Sequence, residues 1–174
     1  MLWNEKVFFV NETIKKRYFN TLYYGWCDIG YFRNRINDIH SSLLNNWPNP
    51  LRLINYPFNN LMIHYGCVQK NTTTYVKLLN EVKEHYKKSV SNPPPVYHEN
   101  CFAGGFFISR EDPIKHYTAL YDNKLTCYFE NDYFIKDDQT IIMDLIFTNP
   151  HLFYIHTEDN DKYDNWFMFQ RLLL

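Results

Sequence analysis

The sequence has almost no net charge, no long apolar run and no internal repeat. Its 18 lysine and arginine residues nearly balance its 19 aspartate and glutamate residues, and the two signs are interspersed. A protein that binds nucleic acid or an anionic membrane through its overall charge needs a basic surplus, so we expect neither partner. The longest apolar runs are too short to cross a bilayer, and the first residues do not form a signal segment. We therefore expect no membrane insertion.

Cysteine is scarce and never arranged as a CxxC pair. The four cysteines are spread along the chain, at Cys27, Cys67, Cys101 and Cys127. Three of them lie in apolar or aromatic runs, which favours buried free thiols over disulfides or a zinc site. Because free thiols are typical of a reducing compartment, the sequence predicts a cytoplasmic protein.

Several catalytic signatures are missing as well. The chain has no nucleophile elbow, no Walker phosphate loop and no dinucleotide-binding fingerprint. Apart from His156, its histidines show no metal-ligand spacing. With 174 residues and no repeat, the chain is expected to form a single domain over residues 1–174.

Helices that alternate with strands are what the sequence does contain. Hydrophobic periodicity predicts helices over residues 4–19, 33–44, 72–88, 110–129 and 140–147, the fourth with Ser109 as its N-cap. Apolar runs bounded by turn-forming residues predict strands over residues 22–27, 51–54, 61–67, 101–109 and 152–156. Residues 89–100 include three consecutive prolines and are expected to form a mobile loop. This alternation predicts an α/β fold.

Asp28 ends the first predicted strand. Gly30 follows it, where a glycine lets the chain turn, and Arg33 comes shortly after. In open α/β sheets ligands bind beyond the carboxyl ends of strands, so Asp28 is a candidate ligand of a metal ion or a polar molecule. The alternative is that Asp28 only caps the turn or helix that follows, which is the commoner role of a single aspartate before a glycine.

Three further polar groups lie at the ends of apolar elements. Gly104-Gly105 interrupts an apolar strand, which is typical of a bulge, of close packing or of a ligand against the backbone. Asp137-Asp138-Gln139 opens a helix, where carboxylates most often act as caps. His156 ends the last strand and could hold a divalent cation together with Asp28, although a surface or core histidine is the commoner case.

Six segments, taken in order, resemble the HtrL/YibB family and span nearly the whole chain. They are residues 2–6 (LWNEK), 25–33 (GWCDIGYFR), 103–107 (AGGFF), 137–140 (DDQT), 149–153 (NPHLF) and 166–170 (WFMFQ). This family resembles nucleotide-sugar-dependent glycosyltransferases of the GT-A fold. The resemblance implies a GT-A-like mixed sheet flanked by helices. Because only one predicted helix precedes Asp28, we expect a shortened domain that lacks the N-terminal nucleotide-binding strands.

The resemblance also implies roles for individual residues. Asp28 would hold a divalent cation, Mn or Mg, that bridges the donor diphosphate. His156 would assist as a late metal ligand, because the second acid of the usual pair is absent from Asp28-Ile29-Gly30. Asp138, with Asp137 beside it, would act at the acceptor hydroxyl or the donor sugar. The residues implied to bind substrate are Trp26, Arg33, Gly104, Gly105 and Gln139.

These roles lead to a first hypothesis of a metal-assisted glycosyltransferase. It would move a sugar from a nucleotide-sugar donor to a glycan or protein acceptor. The alternative is an inactive GT-A remnant that serves as a carbohydrate-binding or interaction module. A metal-dependent hydrolase ranks last, because it needs more ligands than Asp28 and His156 supply. An incomplete sheet with an exposed edge also predicts pairing into a homo-oligomer.

Overall fold

The computed structural model describes residues 2–33, 39–88, 93–96 and 100–174. Part of the helix predicted over residues 33–44 and part of the loop predicted over residues 89–100 lie outside the described residues. Within the described part of these two segments, Ser41–Leu44 forms a short 3-10 helix and Val96 is buried.

Four strands form one mixed sheet in the described part of the chain. They are β1 (Tyr24–Cys27), β2 (Ile63–Gly66), β3 (Phe106–Ser109) and β4 (Phe153–His156). Their order across the sheet is β1-β3-β2-β4. β3 is antiparallel to both β1 and β2, whereas β4 is parallel to β2. The predicted α/β class is therefore confirmed as an open mixed sheet with β1 and β4 at its edges.

Helices pack around this sheet. They are α1 (Lys6–Lys15), α2 (Pro50–Asn55), α3 (Thr72–Lys88), α4 (Glu111–Glu130), α5 (Asp138–Thr148) and α6 (Met168–Leu172). Further short 3-10 segments are Leu2–Glu5, Ile29–Phe32 and Asn165–Phe167. Among the described residues, no helix combines the length and the apolar character that a membrane crossing requires.

The sheet carries a hydrophobic core on each face, because successive strand residues point to opposite sides. On β3, Phe107 packs into the larger core, which α1, α3, α4 and α5 complete. Its neighbours Phe106 and Ile108 pack into a smaller core with Tyr31 and Phe169. The chain leaving β1 thus passes between the smaller core and the start of α5.

Most predicted elements are confirmed, with bounds that agree or differ by a few residues. The helices predicted over residues 4–19, 72–88, 110–129 and 140–147 are present as α1, α3, α4 and α5. The strands predicted over residues 22–27, 61–67 and 152–156 are present as β1, β2 and β4. Each strand keeps only four residues. The sequence therefore locates these elements well but overestimates the length of the strands.

The strand predicted over residues 51–54 is wrong, because these residues belong to α2. The Asn49 side chain accepts hydrogen bonds from the backbone N–H groups of Leu51 and Arg52. Pro50 takes the first helical position, where its fixed φ suits a helix and its missing N–H costs nothing. Pro50, which suggested the end of one element before a strand, is instead the first residue of a helix.

Two other predictions near β3 are wrong. Ser109 does not cap α4; it ends β3, and its hydroxyl donates to the Met62 carbonyl at 2.7 Å. Arg110 is the N-cap residue, without a side-chain capping bond. The strand predicted over residues 101–109 covers only Phe106–Ser109, because Gly104-Gly105 forms a turn before it. That turn faces the cavity described below.

Candidate functional site

Asp28 leaves β1 at the point where the strand ends. Its backbone N–H donates to the Gly105 carbonyl at 2.9 Å, and its own carbonyl accepts from the Tyr31 N–H at 2.8 Å. The side chain makes no capping bond to the turn that follows, so the alternative of a simple capping role is wrong. Instead, Asp28 Oδ1 accepts a 2.5 Å hydrogen bond from the indole N–H of Trp26.

A cavity of about 330 Å³ opens beside Asp28. The predicted site residues that line it are Asp28, Arg33, Gly104, Gly105, Asp137, Asp138 and Gln139. The other lining residues are Trp3, Lys6, Gly30, Tyr31, Trp166 and Phe167. Trp26 lies behind Asp28 and reaches the cavity only through that carboxylate. The structure thus brings most of the predicted site residues into one place.

Lys6 lies at the centre of this group. Its ammonium nitrogen is 3.1 Å from Asp28 Oδ2, 2.8 Å from Asp138 Oδ2 and 2.9 Å from the Gly104 carbonyl oxygen. The Lys6 side chain is 10% exposed and that of Asp138 is 7% exposed, whereas Asp28 keeps 37%. One buried ammonium therefore holds two carboxylates from separate elements beside the cavity.

Burial sets the protonation behaviour of this group. It raises the pKa of Asp138 above its ordinary value, and the opposing effect of Lys6 is smaller. A raised pKa makes a carboxylate a stronger proton acceptor.

Burial, with a smaller effect of the Asp28 charge, raises the pKa of the neighbouring Cys27 thiol to about 12. Cys27 is therefore an inert thiol and not a nucleophile.

Two oxygen atoms in the lining of the cavity have unmet hydrogen-bonding capacity. Asp138 Oδ2 has the Lys6 ammonium, 2.8 Å away, as its one partner among the described residues, which leaves one of its lone pairs unused. Gln139 Oε1 is buried, and no donor within the described part of the chain reaches it. Buried acceptors of this kind are costly unless a ligand or water supplies a donor. The cavity is therefore suited to a ligand that donates hydrogen bonds.

Two glycines make room for this arrangement. The side chain of Arg33 lies across Gly30, where a Cβ atom would be only 2.5 Å from the guanidinium. A Cβ atom at Gly104 would be 3.1 Å from Asp138 Oδ2. No glycine has a positive φ. These glycines supply space for side chains rather than backbone freedom.

Asp137 is the N-cap of α5, as the commoner interpretation of its position predicts. Its Oδ1 accepts a 3.0 Å hydrogen bond from the Gln139 backbone N–H. The bond fixes the start of α5 and thereby the direction in which Asp138 points. A catalytic role for Asp137 stays a prediction, whereas its positioning effect follows from the geometry.

His156 does not line the cavity. Its Nε2 is 2.9 Å from His64 Nδ1, and its Nδ1 is 3.2 Å from the Tyr56 hydroxyl. Because the Asn59 carbonyl can only accept from His64 Nε2, we assign His156 Nε2 as the donor to His64. Burial lowers the pKa of both rings, that of His156 to about 4. At neutral pH the two rings therefore form a neutral hydrogen-bonded pair.

The candidate metal ligands do not fit a divalent cation as they are placed. Lys6 stands between Asp28 and Asp138, and His156 is engaged elsewhere. Among the described residues, no cluster of three or more His, Cys, Asp or Glu side chains is arranged to hold a metal ion. Divalent cations bind oxygen atoms at about 2.0–2.6 Å, and the separations around Lys6 are those of ammonium hydrogen bonds. The predicted Mn or Mg cofactor stays a prediction.

Lys6 is the functional candidate that sequence reasoning missed. Apolar periodicity predicts the first helix but does not distinguish Lys6 from the other polar residues in it. It shares the buried face of α1 with Val10 and Ile14, at intervals of four residues. A lysine on an apolar helix face needs a buried partner, and that pattern could have identified it. Trp3 and Trp166 lie in two of the six segments that resemble the family, but no pattern in the sequence marks either tryptophan as a cavity residue.

One known protein family matches nearly the whole chain. The family described as "Bacterial protein of unknown function (HtrL_YibB)" matches residues 1–173. No curated protein and no solved structure matches the chain. The family predicted from the ordered segments is confirmed, and the link to GT-A glycosyltransferases stays a prediction.

Proposed function

The chain belongs to the HtrL_YibB family, and on that premise we propose that it transfers a sugar from a nucleotide-sugar donor to a glycan or protein acceptor. The observation that carries the proposal is one cavity whose lining includes the carboxyl and amide groups of Asp28, Asp138 and Gln139. Sugar hydroxyl groups are donors to oxygen atoms of this kind. Trp3 and Trp166 add aromatic surface to the same cavity, as is usual in small-molecule sites.

Asp138 is the proposed base. Its raised pKa suits it to take the proton of an acceptor hydroxyl group. The acceptor oxygen then bonds to the anomeric carbon while the bond from that carbon to the diphosphate oxygen breaks. The electron pair of that bond leaves with the nucleoside diphosphate. Arg33, which is exposed and lines the cavity, is the proposed partner of the diphosphate charge.

A second candidate function is carbohydrate binding without transfer. The favouring observation is that Lys6 pairs with both Asp28 and Asp138, so neither carboxylate is a free base. In this alternative the cavity binds a sugar through the same acceptors, and no bond to the anomeric carbon changes. The two functions differ in turnover and not in the ligand class.

The proposal is tested with UDP- and GDP-sugars and a panel of glycan acceptors. Released nucleoside diphosphate measures turnover, and calorimetry measures binding. We expect Asp138→Asn to reduce turnover by at least about 100-fold, as the loss of a general base does, while sugar-nucleotide binding persists. Asp112→Asn is the matched control, because Asp112 is a fully exposed helix residue whose side chain is 95% exposed.

Each outcome decides between the two functions. Turnover that is equal in the wild type and in Asp138→Asn would contradict the role of Asp138 as base. Sugar binding without any released diphosphate would favour the carbohydrate-binding alternative. An absence of heat with every sugar nucleotide and every glycan would overturn both.

A further inference from the structure

We infer that the Lys6 ammonium is the resident cation of this cavity and that the cavity binds its ligand without a divalent metal ion. The inference rests on the proposed function only where the ligand is named as a sugar nucleotide. Its central claim concerns Lys6, Asp28 and Asp138 and can be tested with metal ions alone.

The first argument is geometric. An ammonium group has three N–H bonds, and Lys6 Nζ has three oxygen neighbours at 2.8, 2.9 and 3.1 Å. They come from three different elements, namely α5, the turn before β3 and the end of β1. A cation bound between these elements would meet the same three oxygens. Lys6 therefore occupies the position that a metal ion would need.

The second argument is electrostatic. Among the described residues, Asp28, Asp137 and Asp138 are the acidic ones that line the cavity, and Lys6 and Arg33 are the basic ones. The two carboxylates that Lys6 contacts are already half neutralised by its charge. A divalent cation bound to the same oxygens would lie within a few ångströms of the ammonium, where like charges repel strongly in a partly buried site. Lys6 and a metal ion therefore exclude each other.

The third argument concerns rigidity. Lys6 is the first residue of α1, and that helix packs closely on α4 and on β1. Its charge is thus fixed to the fold and cannot be removed by a chelator. We assign Lys6 as a positioning residue that keeps Asp28 and Asp138 in a constant arrangement beside the cavity.

The test is a calorimetric titration of Mn²⁺ and Ca²⁺ into the wild type and into Lys6→Ala. We expect no saturable binding by the wild type. Removal of the ammonium leaves two carboxylates and a carbonyl oxygen around an empty cation position. Lys6→Ala should therefore bind at least one of the two ions saturably, at concentrations where the wild type shows no binding. The gain should disappear in Lys6→Ala/Asp28→Asn. Lys15→Ala is the control, because Lys15 is an exposed lysine on the same helix.

A purely structural lysine would lower stability when removed but would not create a metal site. A folded Lys6→Ala protein that binds neither ion would overturn the inference. Saturable Mn²⁺ binding by the wild type that is lost in Asp28→Asn would also overturn it, and this measurement decides the matter if Lys6→Ala fails to fold. Neither titration contains a sugar nucleotide, so their outcome is independent of whether the proposed transferase activity is found.

Discussion

Helix α5 carries two buried aspartates that each pair with a lysine from another helix, and the two are satisfied very differently. Asp144, in the middle of the helix, is fully buried and pairs with Lys124 of α4 at 3.2 Å. Its Oδ2 also accepts hydrogen bonds from the hydroxyl groups of Tyr86 at 2.6 Å and Tyr128 at 2.8 Å. Asp138, at the start of the helix, has the Lys6 ammonium as the one partner of its Oδ2 among the described residues.

The difference separates an ion pair that is closed by surrounding donors from one that borders a cavity. The Asp144 cluster has a donor for each carboxylate oxygen, and burial together with the Asp144 charge raises the pKa of Tyr128, so its hydroxyl stays a donor. Such a closed cluster joins α3, α4 and α5. The Asp138 cluster has fewer donors and lies in the lining of a cavity.

The largest expected loss of folding stability comes from a substitution that removes the buried carboxylate of the Asp144 cluster. In Asp144→Ala, the ammonium of Lys124 and the hydroxyl of Tyr128 lose their buried acceptor. Removal of one partner of a buried ion pair typically costs about 3–5 kcal/mol of stability. Urea denaturation followed by circular dichroism measures this loss. Asp122→Ala, at an exposed position of α4, is the control, and an equal stability of the two variants would mean that the Asp144 cluster is not structural.

A second test uses the neutral pair His64 and His156, a closed cluster without charge. The pKa of His156 is lowered from 6.5 to about 4 in the folded state. The unfolded chain therefore binds more protons between these values, so stability falls as the pH decreases from 6.5 to 4. The loss amounts to roughly 3 kcal/mol. His156→Gln should flatten this acid dependence in denaturation curves, and the exposed His151→Gln should leave it unchanged. An unchanged slope in His156→Gln would contradict the assignment.

The smallest effect on stability is expected at Asp138. Its folded pKa lies above the ordinary value of 3.8, so the folded state binds more protons above that pH and stability falls as Asp138 ionises. Asp138→Asn cannot ionise. We expect it to cost less stability at pH 7 than Asp144→Ala does, because Lys6 keeps its contacts with Asp28 and the Gly104 carbonyl, and its stability relative to the wild type should rise with pH. A loss as large as that of Asp144→Ala would remove the distinction between the two clusters.

The sequence predicts this fold mainly through elements with strong periodicity. The apolar positions of α3 recur at helical spacing, and its ends are predicted correctly. The segment of residues 51–54 is too short for periodicity to decide, and the capping bonds of Asn49 outweigh its apolar character. The order of the strands across the sheet depends on long-range pairing such as that of Cys27 with Phe106, which no local pattern contains.

The candidate site could be predicted in part for a related reason. Asp28, Asp138 and Gly104 lie at the ends of predicted elements, where side chains reach a common edge. The position of Lys6 on the apolar face of α1 predicts a buried partner, but which carboxylates pair with it depends on tertiary contacts of α1 with β1 and α5. The same limit applies to His156, whose partner His64 lies on the neighbouring strand.

The placement of tryptophan gives the cavity an intrinsic optical probe. Of the four tryptophans, Trp3 and Trp166 line the cavity, and Trp26 donates to Asp28. Trp47 packs against Tyr31, another lining residue, with ring centroids 6.0 Å apart. Each indole thus contacts the cavity or a residue that forms it. Ligand entry should change the emission intensity or wavelength of the unlabelled protein, so fluorescence can screen compounds before any substrate is known.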